Sequence, residues 1–211
     1  MLMLYYSPGA CSMAPHIALE ETGAPYRLQL VPISDGEHQA PDYLTNVNPR
    51  GKVPALRTDE GVLTENVAIL TYIARSHPHA GLLPQEPIGM ARCIAHMAYL
   101  SSTVHPAFTH IVRPGRFATD RAAHENLKAT GRETAWNLLQ ELDSLLAGKE
   151  WVLGSQYSAA DPYTLVIYGW GKQHAMPLEQ LENYTGFKDR MLQRPAVRKV
   201  LEREHSQLLR D

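Results

Sequence analysis

Leu2-Met3-Leu4-Tyr5-Tyr6-Ser7-Pro8-Gly9-Ala10-Cys11, residues 2–11, decides how the first third of the chain reads. Leu2–Tyr6 is a short apolar run of strand type, and Ser7-Pro8-Gly9 ends it in a turn. From Cys11 to Thr22 apolar residues recur at helical spacing (Ala14, Ile17, Ala18), and Gly23 supplies a C-cap. A strand, a turn and a helix in that order open an α/β unit.

Working outward, Tyr26–Ile33 reads as a second strand. Polar residues Ser34–Pro41 lead to a helical turn over Asp42–Val47. Val53–Arg57 and Gly61–Leu63 form a hairpin around Asp59-Glu60-Gly61. Glu65–Ser76 is an amphipathic helix with Val67, Leu70 and Ile73 on one face. The expected result is a small α/β domain with a mixed four-stranded sheet over residues 1–77. A proline-rich linker follows at 78–87, then an all-helical domain at 88–211. Helical patterns cover Ile88–Thr109 and Asp120–Ala147, with a break at Arg113-Pro114-Gly115 between them. A third helix starts at Ser158 and a last one near Pro195. Ser158-Ala159-Ala160-Asp161 fits an N-cap whose acidic partner reaches back to the cap N–H, a folding signal with no chemical role.

Composition sets limits on function. The 211 residues, 44% hydrophobic and 20% charged, suffice to bury a real core. A net charge of −2 gives no footprint for nucleic acid or an acidic membrane surface. No run approaches the ~20 apolar residues of a membrane span. With no secretory leader pattern at the N-terminus and only Cys11 and Cys93, a reduced cytoplasmic setting is expected. The ten histidines show no ligand spacing, so no metal is expected.

Four places carry candidate chemistry. Cys11 stands where a helix N-terminus is expected, and free N–H groups there favour a thiolate with a lowered pKa; a small buried apolar cysteine is the alternative. In Lys52-Val53-Pro54-Ala55 the proline at a strand start is either cis, baring the preceding backbone to an extended ligand, or an ordinary edge-strand proline. Thr64-Glu65-Asn66 opens a helix whose N–H groups suit a carboxylate, with Glu65 suited to an ammonium; Thr64 or Asn66 acting only as a cap fits equally. His105 lies within a long helix, where a lone histidine is commonly structural.

Together these segments resemble the glutathione transferases, most closely the bacterial beta class. Residues 4–16, from Leu4 to His16, resemble the opening strand, turn and cysteine-bearing helix of that class. Asn48-Pro49-Arg50-Gly51-Lys52-Val53-Pro54-Ala55-Leu56 resembles its cis-proline segment, and Leu63-Thr64-Glu65-Asn66-Val67-Ala68-Ile69 its γ-glutamyl-binding turn. Val104-His105, Ser158-Ala159-Ala160-Asp161 and Gln193-Arg194-Pro195-Ala196-Val197 resemble its fourth helix, folding motif and final helix.

The resemblance implies a thioredoxin-like domain followed by a helical bundle, usually assembled as a homodimer, conjugating glutathione to a small electrophile in detoxification. It implies Cys11 beside the glutathione sulfur, His105 approaching from the second domain, and Val53 pairing its backbone with the cysteinyl part. Glu65 and Asn66 would hold the γ-glutamyl end, and Lys52, Pro54, Ser102 and Thr103 complete the expected glutathione-contacting set. The helical domain, near Phe108, Ile111 and Trp170, would line the electrophile pocket. In this class the cysteine also forms a mixed disulfide with glutathione. Three departures stand out. Asn66 replaces the common Gly or Ser, and Thr103 replaces a glutamate that reaches the neighbouring subunit's glutathione. The loop Ser34–Pro41 lacks the usual lysines, leaving His38 as its nearest basic group. Two rivals are a non-catalytic glutathione-binding protein of the same fold and a glutathione-dependent isomerase or dehalogenase. The isomerases carry a serine-rich opening motif, which Ala10-Cys11-Ser12-Met13 does not resemble.

Overall fold

A computed structural model describes residues 1–210; Asp211, the last residue of the expected helical domain, lies outside them. The sheet has the order β2-β1-β3-β4, with β1 Leu2–Tyr6, β2 Tyr26–Leu30, β3 Ala55–Thr58 and β4 Gly61–Thr64. β1 and β2 pair in parallel through the crossover helix α1, Met13–Thr22. β3 and β4 continue antiparallel, Leu4 opposite Leu56 and Leu56 opposite Leu63. This is the thioredoxin-like arrangement with a mixed sheet. The second strand is shorter than expected: it ends at Leu30, and Val31 donates its N–H to Tyr6 O at 2.8 Å as the chain turns toward the site.

Helix α1 closes at Gly23 in the left-handed conformation, φ 66°, where a side chain would be strained. After α2, Pro41–Asn46, and α3, Asn66–Ser76, a short turn leads to α4, Pro87–Tyr99. The helix expected over Ile88–Thr109 is broken into α4 and α5, His105–Val112, by one π-type segment at Leu100–Val104. The wider turn swings the register, so that His105 starts a new helix facing the sheet domain. α6, His124–Leu146, packs against α5 through Gly131, where a Cβ would meet His110 Cβ at 2.7 Å and Ala107 O at 3.0 Å. α7, Ala160–Gln173, is buried along nearly its whole length at the centre of the helices. α8, Glu182–Gln193, was not read from the sequence, and α9, Pro195–Arg203, starts where expected.

At the start of α7 the Asp161 carboxylate accepts the Ser158 N–H at 2.7 Å, the Ser158 hydroxyl at 3.0 Å and the Val152 N–H at 2.8 Å. It therefore caps the helix and also anchors the preceding loop. Burial pushes its carboxyl up to about 7, against the pull of these donors.

One apolar core runs through both halves, from Leu4, Ile17 and Leu70 to Phe187 and Leu201. Across this junction Arg194 of α9 donates to both carboxylate oxygens of Glu21, at 2.7 and 3.0 Å, and its guanidinium lies 3.6 Å from the Tyr157 ring centroid. The two halves are thus joined by packing, and a large cleft lies where the end of β1 and the start of β3 face α5 and α7.

Candidate functional site

The cleft holds a cavity of about 760 Å³ lined from both halves of the chain. Its sheet-side wall is built by four loops: Ser7–Cys11 after β1, residues 33–38 after β2, Asn48–Pro54 before β3, and Glu65–Asn66 at the start of α3. Its helical wall comes from α5 and the turn after it, together with α7.

The Ser7–Cys11 loop is gripped from three sides. The Ser12 hydroxyl accepts the Ser7 N–H and donates back to Ser7 O, both at 3.1 Å. The Gly9 N–H donates to Glu204 Oε2 at 3.2 Å, and Gly9 O accepts the Trp170 indole N–H at 2.9 Å. Neither Glu204 nor Ser12 was picked from the sequence. A loop bonded at both faces holds Cys11 with little rotational freedom.

Cys11 lies at the base of the cavity, and its Sγ stands 3.6 Å from Val53 O. Its electrostatics correct the expectation of a thiolate. The helix begins at Met13, so Cys11 sits in the preceding turn. Burial dominates and pushes its thiol up to about 12; a backbone hydrogen bond and the charges of Lys52 and Arg113 pull the other way without winning. The thiol is therefore protonated at neutral pH. Cys93 is also a free thiol, buried in the helical core.

Val53 and Pro54 line the cavity beside Cys11, and the peptide bond between them is cis. Lys52 also lines it, with its side chain exposed. Glu65 takes φ 71°, ψ 124°, an unfavourable conformation for a residue with a side chain. It presents Asn66 as the first residue of α3, and no side chain caps this helix, so the capping alternative for Thr64 or Asn66 does not hold. Asn66 is 7% exposed, yet neither its amide oxygen nor its nitrogen finds a hydrogen bond. A buried amide with both ends unpaired is costly, and its place on the cavity wall marks a position for a polar ligand group.

From the helical side, His105 points across the cleft with its ring 4.6 Å, centroid to centroid, from that of Trp170. The Tyr163 hydroxyl lies 3.5 Å from His105 Nδ1, near Asn66 but outside hydrogen-bonding geometry with it. Tyr163 is buried on the cavity wall between His105 and the sheet-side loops, a placement no local sequence signal marked. Burial, helped by Lys52, Arg113 and Arg116, lowers His105 to about 4, so the ring is neutral at pH 7.

Two expected residues stand apart. Ser102 and Thr103 are exposed and do not line the cavity; the Ser102 hydroxyl donates to Ala98 O within the helix. Helical spacing puts this pair on the face away from the cleft and His105 on the face toward it. Phe108 and Trp170 line the cavity as expected, whereas Ile111 does not. Among the described residues no three His, Cys, Asp or Glu side chains gather as a metal-ligand set, and no helix is long and apolar enough to cross a membrane.

Comparison with known proteins gives consistent relationships. Residues 1–75 match the family model described as the glutathione S-transferase N-terminal domain. The chain is 35% identical over 205 residues to the glutathione S-transferase GstA of Escherichia coli O157:H7, covering 96% of this chain and 98% of that one. Its fold superposes with a TM-score of 0.92, at 36% identity, on a Sulfitobacter glutathione transferase homologue solved with bound glutathione, covering 96% of this chain and 98% of that one. It superposes at 0.85, with 38% identity and the same coverage, on a beta-class glutathione S-transferase of Sphingomonas chungbukensis.

Proposed function

From the premise that the chain belongs to the glutathione S-transferase family, we propose that it is an enzyme that conjugates glutathione to electrophiles in the cleft described above. The observation that carries the site assignment is that one cavity gathers Cys11, Val53, Glu65 and Asn66 from the sheet side and His105 from the helical side. Glutathione lies along the Val53 backbone as an added strand. Its γ-glutamyl end meets the unpaired Asn66 amide and the Glu65 carboxylate, which suits its ammonium. Lys52 and Pro54 flank the peptide.

The chemistry follows from the protonation states. The Cys11 thiol, kept neutral by burial, donates its S–H to the glutathione sulfur and so favours that sulfur's thiolate. The glutathione thiol releases its proton to solvent, and the neutral His105 ring donates its N–H to the resulting thiolate from the opposite wall. The thiolate attacks the electrophilic carbon, a C–S bond forms, and the leaving group departs with its electron pair. Phe108 and Trp170 supply the apolar surface for the electrophile. Oxidised glutathione gives a second, slower reaction: Cys11 as thiolate displaces one glutathione thiolate and keeps the other as a mixed disulfide.

The same reading divides the chain into a glutathione-binding domain at 1–77, a linker at 78–87 and an electrophile-binding domain at 88–211. It makes the protein a cytoplasmic homodimer acting in detoxification. The outward-facing Ser102 and Thr103 then reach glutathione only across a subunit interface, and light scattering tests the dimer that this requires. The decisive experiment is retention on glutathione-agarose followed by a conjugation assay with 1-chloro-2,4-dinitrobenzene. Retention with turnover supports the transferase; retention without turnover leaves a binding protein of the same fold.

A further inference from the structure

The helical wall of the cavity carries a pair of arginines that the glutathione-binding reading does not use. Arg113 follows α5 and is half-buried, and Arg116 ends the short turn that begins at Pro114. Both line the cavity. Neither guanidinium has a carboxylate partner or a hydrogen bond among the described residues. Arg116 lies close enough for its charge to oppose that of Arg113, and both bear on His38 across the cleft. His38 itself has a buried ring Nδ1 with no partner. Of the ionisable residues lining the cavity, Lys52, Arg113 and Arg116 are fixed cations, and Glu65 is the one carboxylate. Glu65 stands on the sheet side, at the start of α3, where glutathione's ammonium would neutralise it.

Arg113 is half-buried and Arg116 exposed, so their mutual repulsion is only partly screened, and an anion between them relieves it. The surface beside them is aromatic: Phe108, Phe117 and Trp170. Guanidinium groups bind planar carboxylates and sulfonates through paired N–H donors.

We propose that the second substrate is an anionic electrophile, an aromatic or other flat apolar body bearing a carboxylate or sulfonate, whose charge is held by Arg113 and Arg116 while its ring rests on Phe108 and Trp170. This rests on the transferase reading and specifies the substrate class it left open. Both reacting partners are then anions, and the arginines offset the repulsion between the bound thiolate and the incoming charged group.

The test compares 4-chloro-3,5-dinitrobenzoate with 1-chloro-2,4-dinitrobenzene, each kcat/KM divided by the uncatalysed rate constant with glutathione. Wild type, Arg113→Gln, Arg116→Gln and the double variant are measured at low and high salt. Loss of one charge-assisted contact on a partly solvated wall predicts about a tenfold fall in the benzoate-to-neutral preference per arginine. The KM for glutathione should not change, and salt should erode the wild-type preference. An unchanged preference in the double variant overturns the proposal, and so does a raised glutathione KM, which would assign the arginines to glutathione. A second measurement separates this from failure of the transferase reading. Titration of 8-anilinonaphthalene-1-sulfonate into glutathione-saturated protein needs no turnover. If wild type conjugates neither electrophile, dye affinity that falls about tenfold in the double variant still supports the anion site. Equal affinity in both proteins overturns it.

Discussion

Glu204 Oε1 meets His16 Nδ1 at 2.6 Å with both side chains fully buried, joining the residue that closes α9 to α1. The other carboxylate oxygen accepts the Gly9 N–H in the loop that carries Cys11. One side chain from the helical half therefore holds both α1 and the site loop of the sheet half.

Glu204→Ala should cost about 2–4 kcal/mol, because it leaves the buried His16 Nδ1 and the Gly9 N–H without their partner. Urea denaturation followed by tryptophan fluorescence measures this. Glu204→Gln keeps an acceptor of the same shape and should lose distinctly less. A loss below about 1 kcal/mol in the alanine variant would show that the pair is dispensable.

Cys11 should behave as a buried thiol of high pKa. Its alkylation by iodoacetamide should accelerate about tenfold per pH unit from pH 7 to 10 with no plateau, because the thiolate fraction keeps rising below a pKa of about 12. Intact mass after incubation with oxidised glutathione should show an adduct that maps to Cys11 and forms faster at pH 9 than at pH 7. A reactivity plateau near pH 7 would mean a thiolate, contrary to the burial argument. Cys11→Ala should abolish the adduct and leave part of the conjugation, whose nucleophile is glutathione.

His105 is neutral at the ordinary working pH. Its proton affinity is lowered from the usual 6.5 to about 4 by burial and by three nearby cations. The folded protein thus disfavours the charged ring, so the stability tied to it is full above about pH 6.5 and is lost as pH falls toward 4. The kcat/KM for conjugation should show no acid limb near pH 6.5 attributable to His105. His105→Ala should lower conjugation modestly while the Cys11 mixed disulfide still forms. A kcat/KM limb at 6.5 that vanishes in His105→Ala would contradict the neutral, poorly basic ring.

Asp161→Ala leaves two buried N–H groups, of Ser158 and Val152, without their acceptor. The cost should be about 2–5 kcal/mol, more than the ~0.5–2 kcal/mol of an ordinary cap, because the same carboxylate also holds the loop at Val152. Differential scanning calorimetry should show a lower Tm, with glutathione affinity per folded molecule near normal. Unchanged Tm with lost conjugation would give Asp161 a chemical role instead.

Much of this was legible in local sequence. A strand, a Ser-Pro-Gly turn and a Gly-capped helix announce α1 through interactions spanning a few residues, and Ser158 with Asp161 lie three apart in the chain and bond within one turn. The resemblance placed Cys11, Val53, Glu65, Asn66 and His105 in a common site, and these residues line one cavity. What local sequence could not give were the properties created by residues far apart. The grips on Gly9 come from Glu204 and Trp170, 195 and 161 positions away, and no spacing rule connects them. Thr103 and His105, two apart on one helix, face opposite sides, and which of them meets the cleft is decided by how the helix packs on the sheet domain. The state of the Cys11 thiol depends on how much solvent the whole fold removes from it, and that desolvation outweighs the local backbone dipoles that suggested a thiolate. Short-range hydrogen bonding and hydrophobic periodicity belong to the sequence; burial, and the charges that burial makes costly, belong to the tertiary structure.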